Sequence, residues 1–116
     1  YQAPYVEAAA HELATAGLAA KVMIDCSHAN SLKQYRRQLD VALDVSGQLA
    51  GGDARIIGVM VESHLNEGRQ EHSPGCTLEY GKSITDACLG WDDTVSLLDT
   101  LAAGVRARRK FQDETE

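Results

Sequence analysis

No run of apolar residues in this sequence approaches the roughly 20 that a membrane-spanning helix needs. The opening YQAPYVEAAA lacks the basic start and apolar follow-on of a secretory signal. The expectation is a soluble, cytoplasmic chain without a membrane partner. Cysteine is scarce: Cys26, Cys76 and Cys88 are an odd number without Cys-x-x-Cys spacing, which argues against a disulfide framework or a cysteine-rich zinc module and for reduced thiols. Positive charge is also short. A formal net charge of -6 excludes the basic surface that phosphate backbones require, so nucleic acid is not an expected partner. The only basic cluster, RARRK at 106–110, falls near the expected end of the last helix, where it would complement the negative end of the helix dipole. Internal repeats and low-complexity segments are absent.

What is present is an alternation of elements within 116 residues, one domain at most, with 44% hydrophobic residues for a modest core. Pro4 stands where a first helical turn begins, Val6, Ala9, Ala10 and Leu13 form a stripe, and Gly17 sits where a helix ends. KVMID reads as a short strand buried on both faces, since Val22, Met23 and Ile24 do not alternate. Asn30 or Ser31 can cap a second helix carrying Leu32, Tyr35, Leu39, Ala42, Val45 and Leu49, ending near Gly51 and Gly52. IIGVMVE, 56–62, is a second apolar strand. A polar segment from about Ser63 to Gly90 is too long for a simple connector and is expected to be functional or disordered. Asp92 or Asp93 then caps a last helix with Val95, Leu98, Leu101, Ala102 and Val105 on one face.

Helix, strand, helix, strand, helix implies parallel strands joined by crossovers. Two such strands need neighbours at their edges, and the sequence supplies none. With a first residue other than methionine, this suggests part of a larger α/β protein, or a small domain completed by oligomerisation.

Chemistry in such folds gathers at the carboxyl ends of the strands. The first strand runs out into Asp25, Cys26, Ser27 and His28, the second into Glu62, Ser63 and His64. Alternation puts Cys26 and His28 on one face and Asp25 and Ser27 on the other. If the strands are adjacent, His28 and Glu62 can share one interior space as ligands of a divalent metal. A hydrogen-bonded strand-end histidine is the competing reading of His28. For Glu62, a carboxylate beside an apolar strand needs a cation or several donors, and chemistry alone leaves both open.

The blocks MIDCSHANS, GVMVESHL and YGKSITDACLGW, in this order and at these separations, closely resemble the C-terminal part of the metal-dependent 3-deoxy-D-arabino-heptulosonate 7-phosphate (DAHP) synthases of the enterobacterial type. AGGDARIIGVMVESHLNEG and LLDTLAAGVRARR also look like that family, so the resemblance runs from about Glu12 to Arg109. It implies that residues 1–116 are the C-terminal portion of a single (β/α)8 TIM barrel: its sixth helix, seventh strand and helix, and eighth strand and helix. The N-terminal two-thirds would be absent. It implies condensation of phosphoenolpyruvate with erythrose 4-phosphate, releasing phosphate, at the first step of the shikimate pathway toward chorismate and the aromatic amino acids.

The family's divalent metal, one of Mn, Fe, Co, Zn or Cu, is held by cysteine, histidine, glutamate and aspartate. Carried over by motif, these are His28 of SHAN, Glu62 of VESH and Asp86 of SITDA, with His28 and Asp86 nearest the chemistry. Asp25, Ser63 and His64 are candidates for supporting hydrogen bonds. Lys82 reads as a solvated loop lysine, with a charge near a phosphate as the competing role, Trp91 as an apolar anchor, and Cys26 as packing in preference to an approach to the metal. The family's ligand cysteine and the arginines and lysines that hold both phosphates would precede residue 1, which leaves the metal site incomplete. A homo-oligomer is expected. The alternative is a catalytically silent unit that hides its strand edges by self-association. The SITDACLGW block argues against the related 3-deoxy-octulosonate phosphate synthases.

Overall fold

The computed structural model describes residues 1–115 as three helices and two strands. Helix α1 (Ala3–Thr15) carries Pro4 in its first turn, where a missing N–H costs nothing, and buries Val6 and Ala10. It ends on Gly17, whose φ of 76° lets the Gly17 and Leu18 amides turn back onto the carbonyls of Ala14 and Leu13. Strand β1 (Val22–Asp25) follows, and then helix α2 (Gln38–Ala50), strand β2 (Ile56–Met60) and the long helix α3 (Trp91–Thr115).

The strands pair in parallel, with Ile24 beside Val59 and Asp25 beside Met60. Their carboxyl ends therefore lie side by side, and the Cys26 amide extends the ladder to the Met60 carbonyl at 2.9 Å. One core joins the sheet to its helices: Val6, Ile24, Cys26, Val41, Val45, Leu49, Ile56, Leu89, Leu97 and Leu101 form a single cluster. Arg108 of α3 ties that helix to the start of β2 by donating to the carbonyls of Asp53 and Ile56 at 2.9 and 2.8 Å.

Five expectations are corrected. The strands are not buried on both faces: Met23 and Ile57 are 63% and 67% exposed, because no further layer covers them. The radius of gyration, 16.9 Å, exceeds the roughly 13 Å of a compact domain near this size. The second helix does not start at Asn30 or Ser31. Asn30 donates to the Asp25 carbonyl and Ser31 to the His28 carbonyl, while Leu32 and Lys33 take left-handed φ values of 54° and 57° that no helix can continue. The chain instead enters α2 through a 3-10 turn, Tyr35–Arg37.

In α3, Asp92 and Asp93 occupy the first turn instead of the cap, and the buried face is Thr94, Leu97, Leu101 and Gly104, leaving Val95 and Leu98 exposed. The face is chosen by fit against α2, where Gly104 meets Ser46. Finally, RARRK does not sit at the helix end, because α3 continues to Thr115 with no basic residue in its last turn.

A Cβ on Gly104 would lie 2.6 Å from Ser46 Oγ and 2.8 Å from the Ser46 carbonyl oxygen. Helix propensity favours alanine there by about 1 kcal/mol. A backbone carbonyl cannot yield to it, so overpacking of about 1–3 kcal/mol decides the sign. Gly104→Ala is expected to lower the urea midpoint of unfolding; an unchanged or raised midpoint would show that α2 and α3 do not touch there.

Candidate metal centre

β1 stops at Asp25, and the chain turns at once. One Asp25 oxygen, Oδ1, accepts the Ser27 amide at 2.8 Å, and the other, Oδ2, lies 2.9 Å from Nδ1 of His28. His28 adopts a φ of 48°, a left-handed conformation uncommon outside glycine, which ends strand geometry and swings the ring back over the sheet edge. Nε2 then lies 3.1 Å from Glu62 Oε1 and 3.4 Å from Asp86 Oδ2.

Glu62, two residues beyond β2, is fixed from three sides. The buried Gln38 side chain accepts its amide at 2.8 Å and donates to its carbonyl at 3.0 Å, and Ser27 Oγ donates to its Oε2 at 2.7 Å. Asp86 comes from the segment expected to be long and polar, which proves ordered by short bridges between Ser63 and Leu89, Gly68 and Cys88, and Arg69 and Ser83. The Leu89 amide bonds the Glu62 carbonyl at 3.0 Å, and Arg69 Nε bonds the Thr85 carbonyl at 2.9 Å, so the chain is pinned on both sides of Asp86.

One imidazole nitrogen and two carboxylate oxygens thus lie within 4.8 Å of one another. The set fits a divalent cation: mixed nitrogen and oxygen donors, with the other ring nitrogen held by a carboxylate, the arrangement that orients ligating histidines. The cluster opens onto a cleft of about 220 Å³ lined by Ser27, Lys33, Tyr35, Arg69 and Ala87 besides the three donors.

Without a cation, a proton does part of that work. The His28 pKa is raised from its ordinary 6.5, first by the hydrogen bond to Asp25 and then by the charge of Glu62; desolvation opposes, and Asp25 and Asp86 add charge. A raised folded pKa means that these contacts stabilise the fold fully below the unfolded value and lose that contribution as pH rises through the folded one.

The expected division of faces fails. Asp25 and Ser27 do not turn away from His28 and Glu62 but bond to them directly, because alternation ends with the strand at Asp25. Cys26 is fully buried, and burial, followed by the Asp25 charge, pushes its thiol up to about 11, as packing requires. Asp25 touches the cluster; Ser63 and His64 do not. Ser63 is exposed beside Leu89, and His64 Nδ1 accepts the Leu65 amide. Lys82 pairs with Glu79 at 3.5 Å, and Trp91 is 53% exposed instead of anchored. The sequence reading missed Gln38, whose signal is an amide falling on the apolar face of a helix. It also missed Lys33, Tyr35 and Arg69, which no spacing rule connects to the cleft.

The DAHP synthetase I family profile matches residues 1–99. The chain is 59% identical over 109 residues to the Phe-sensitive phospho-2-dehydro-3-deoxyheptonate aldolase of Escherichia coli K12, covering 94% of this chain and 31% of that protein. It is 49% identical over 116 residues to the tyrosine-inhibited phospho-2-dehydro-3-deoxyheptonate aldolase of Schizosaccharomyces pombe, covering 97% and 31%. The solved phospho-2-dehydro-3-deoxyheptonate aldolase of Francisella tularensis SCHU S4 superimposes with a TM-score of 0.86 at 38% identity, covering 92% of this chain and 31% of its own. The chain spans about a third of the length of these relatives.

Because the Asp25 hydrogen bond is the largest cause of the raised His28 pKa, Asp25→Asn is expected to move the His28 titration toward lower pH. The His28 Cε1 proton shift, followed by NMR in metal-free buffer, reads this directly; an unmoved midpoint would mean that Asp25 does not hold the ring.

Proposed function

Since the chain belongs to the DAHP synthetase I family, we propose that it is the C-terminal portion of a (β/α)8 enzyme that condenses phosphoenolpyruvate with erythrose 4-phosphate to DAHP and phosphate. Residues 1–116 supply three of its four metal ligands, His28, Glu62 and Asp86. The fourth, a cysteine, comes from the part of the enzyme outside this sequence. The observation that carries the reading is the convergence of three donor atoms within 4.8 Å at the carboxyl ends of two parallel strands, the edge where barrel enzymes assemble their sites. When bound, the divalent ion supplies Lewis acidity toward the aldehyde oxygen of the aldose.

The chain's own residues prepare that position. Asp25 Oδ2, 2.9 Å from Nδ1 of His28, would hold a proton on that nitrogen and leave Nε2, beside Glu62 and Asp86, for the ion. Ser27 occupies one oxygen of Glu62 and so turns the other toward His28. The bridged loop carries Asp86 over the strand ends, where it lies nearest solvent and an entering aldose.

No helix among the described residues is long and apolar enough to cross a membrane; a cytoplasmic enzyme is part of the same proposal. Among the described residues, exposed Met23 and Ile57 and the two unpaired strand edges agree with a chain completed by more of the barrel. They also support a second reading, in which the isolated chain is catalytically silent and self-associates.

Residues 1–116 alone are expected to bind one Mn²⁺ in a calorimetric titration, and Glu62→Gln or Asp86→Asn to abolish that binding. Loss of the supporting Asp25 carboxylate should weaken it by about 10–100-fold. The same chain should show no synthase turnover. Phosphate release dependent on both phosphoenolpyruvate and erythrose 4-phosphate would overturn the reading of an incomplete site, and Mn²⁺ binding unaffected by either carboxylate change would overturn the ligand assignment.

A further inference from the structure

The cleft beside the triad holds two cations that the ligand set does not use. Lys33 and Arg69 line it together with Tyr35. Arg69 is partly committed, with Nε on the Thr85 carbonyl and Nη1 on Glu71 at 2.7 Å. The Lys33 side chain has no hydrogen-bond or ion-pair partner among the described residues, and the residue is exposed at the cleft.

The backbone places it there at a cost. Within eight residues after β1, His28, Leu32 and Lys33 all take left-handed φ values, 48°, 54° and 57°. No glycine stands at any of the three, although glycine would adopt them freely. The Lys33 amide bonds the His28 carbonyl at 2.9 Å, so the turn that aims the imidazole at Glu62 also sets the lysine. Strain kept in a non-glycine residue is retained where its side chain is needed.

The electrostatics say what the side chain could be needed for. Asp25, Glu62 and Asp86 put three carboxylates around one imidazole, a field that repels an anion approaching the triad. Lys33, an exposed residue lining the same cleft, brings an ammonium on a flexible stem that can offset that field and offer rotatable donors suited to phosphate oxygens. We propose that Lys33 is a specificity-determining residue: its ammonium, assisted by Arg69, receives the phosphoryl group of a substrate whose reacting end reaches the triad. This rests on the phosphorylated substrates of the reading above and adds to it a phosphate contact from this segment.

The test uses the complete enzyme that carries this segment, with Lys33→Met, Lys33→Gly and Lys33→Arg. Met keeps the stem without the charge. Gly removes the charge while relieving the left-handed backbone, so a merely structural role would leave it equal to or better than the parent. Both are expected to raise KM for one substrate by about tenfold, the loss of one charge-assisted hydrogen bond. The change in kcat should be smaller, bound metal should stay unchanged, and the ionic-strength dependence of that KM should weaken. Arg should recover most of the effect. Separate KM values for phosphoenolpyruvate and erythrose 4-phosphate identify whose phosphate is held. KM values for both within about twofold of the parent in Lys33→Gly, with metal retained, would overturn the proposal, since a charge-assisted contact is worth more than that. Failure of the ligand reading would appear elsewhere, as full metal content in a His28→Ala enzyme.

Discussion

The parallel pairing of β1 with β2 is the constraint on which the rest depends. A parallel pair sends both strands out of the sheet at one edge, so Asp25 and Met60 lie abreast and the residues just beyond them are neighbours despite their separation in sequence. An antiparallel pair would have put His28 and Glu62 at opposite ends. The buried helical face of the sheet, with Ile24 and Ile56 against Val45, Leu49 and Leu101, holds that pairing in place. The site is thus a consequence of core packing, although none of its donors belongs to the core.

Where the imidazole is neutral, the carboxylates of the cluster work against folding. Three carboxylates around one exposed imidazole repel one another, and only the His28 proton and a few oriented donors relieve them in the absence of a cation. Buried Ser27 supplies such donors, its hydroxyl to Glu62 and its amide to Asp25, while buried Gln38 holds the Glu62 backbone in place. Left-handed backbone at His28 adds to the cost. Such an arrangement is expected where a divalent ion later replaces the proton, since the same geometry that is costly for anions alone is favourable around a cation.

Much of this could be read in the sequence, for physical reasons that also mark where reading stopped. Pro4 and Gly17 bound α1 as written, because both act through local backbone chemistry. KVMID and IIGVMVE were visible as apolar runs, although the second strand stops at Met60, two residues earlier than expected. The start of α2 was not, since the apolar spacing through Leu32 and Tyr35 continues across a loop whose course is set by side-chain bonds from Asn30 and Ser31. The buried face of α3 was misplaced for a tertiary reason: Gly104 is chosen by Ser46 on another helix, and amphipathic spacing carries no record of that. His28 and Glu62 were candidates from their place at the strand ends, Asp86 came only from a family-like block, and the 23 residues between Glu62 and Asp86 gave no hint of the bridges that join them. Alternation along β1 gave the wrong partners for Asp25 and Ser27, because the rule was carried past the strand's last residue.

The central claim is that His28, Glu62 and Asp86 are ligands of one divalent ion. An anomalous difference map from a crystal of the complete enzyme grown with Mn²⁺, recorded near the manganese edge, tests it most directly. The account predicts a single strong peak bonded to His28 Nε2 and to one oxygen each of Glu62 and Asp86, at about 2.0–2.2 Å as for other first-row ions. A peak elsewhere, with His28 still hydrogen-bonded to the two carboxylates, would contradict it.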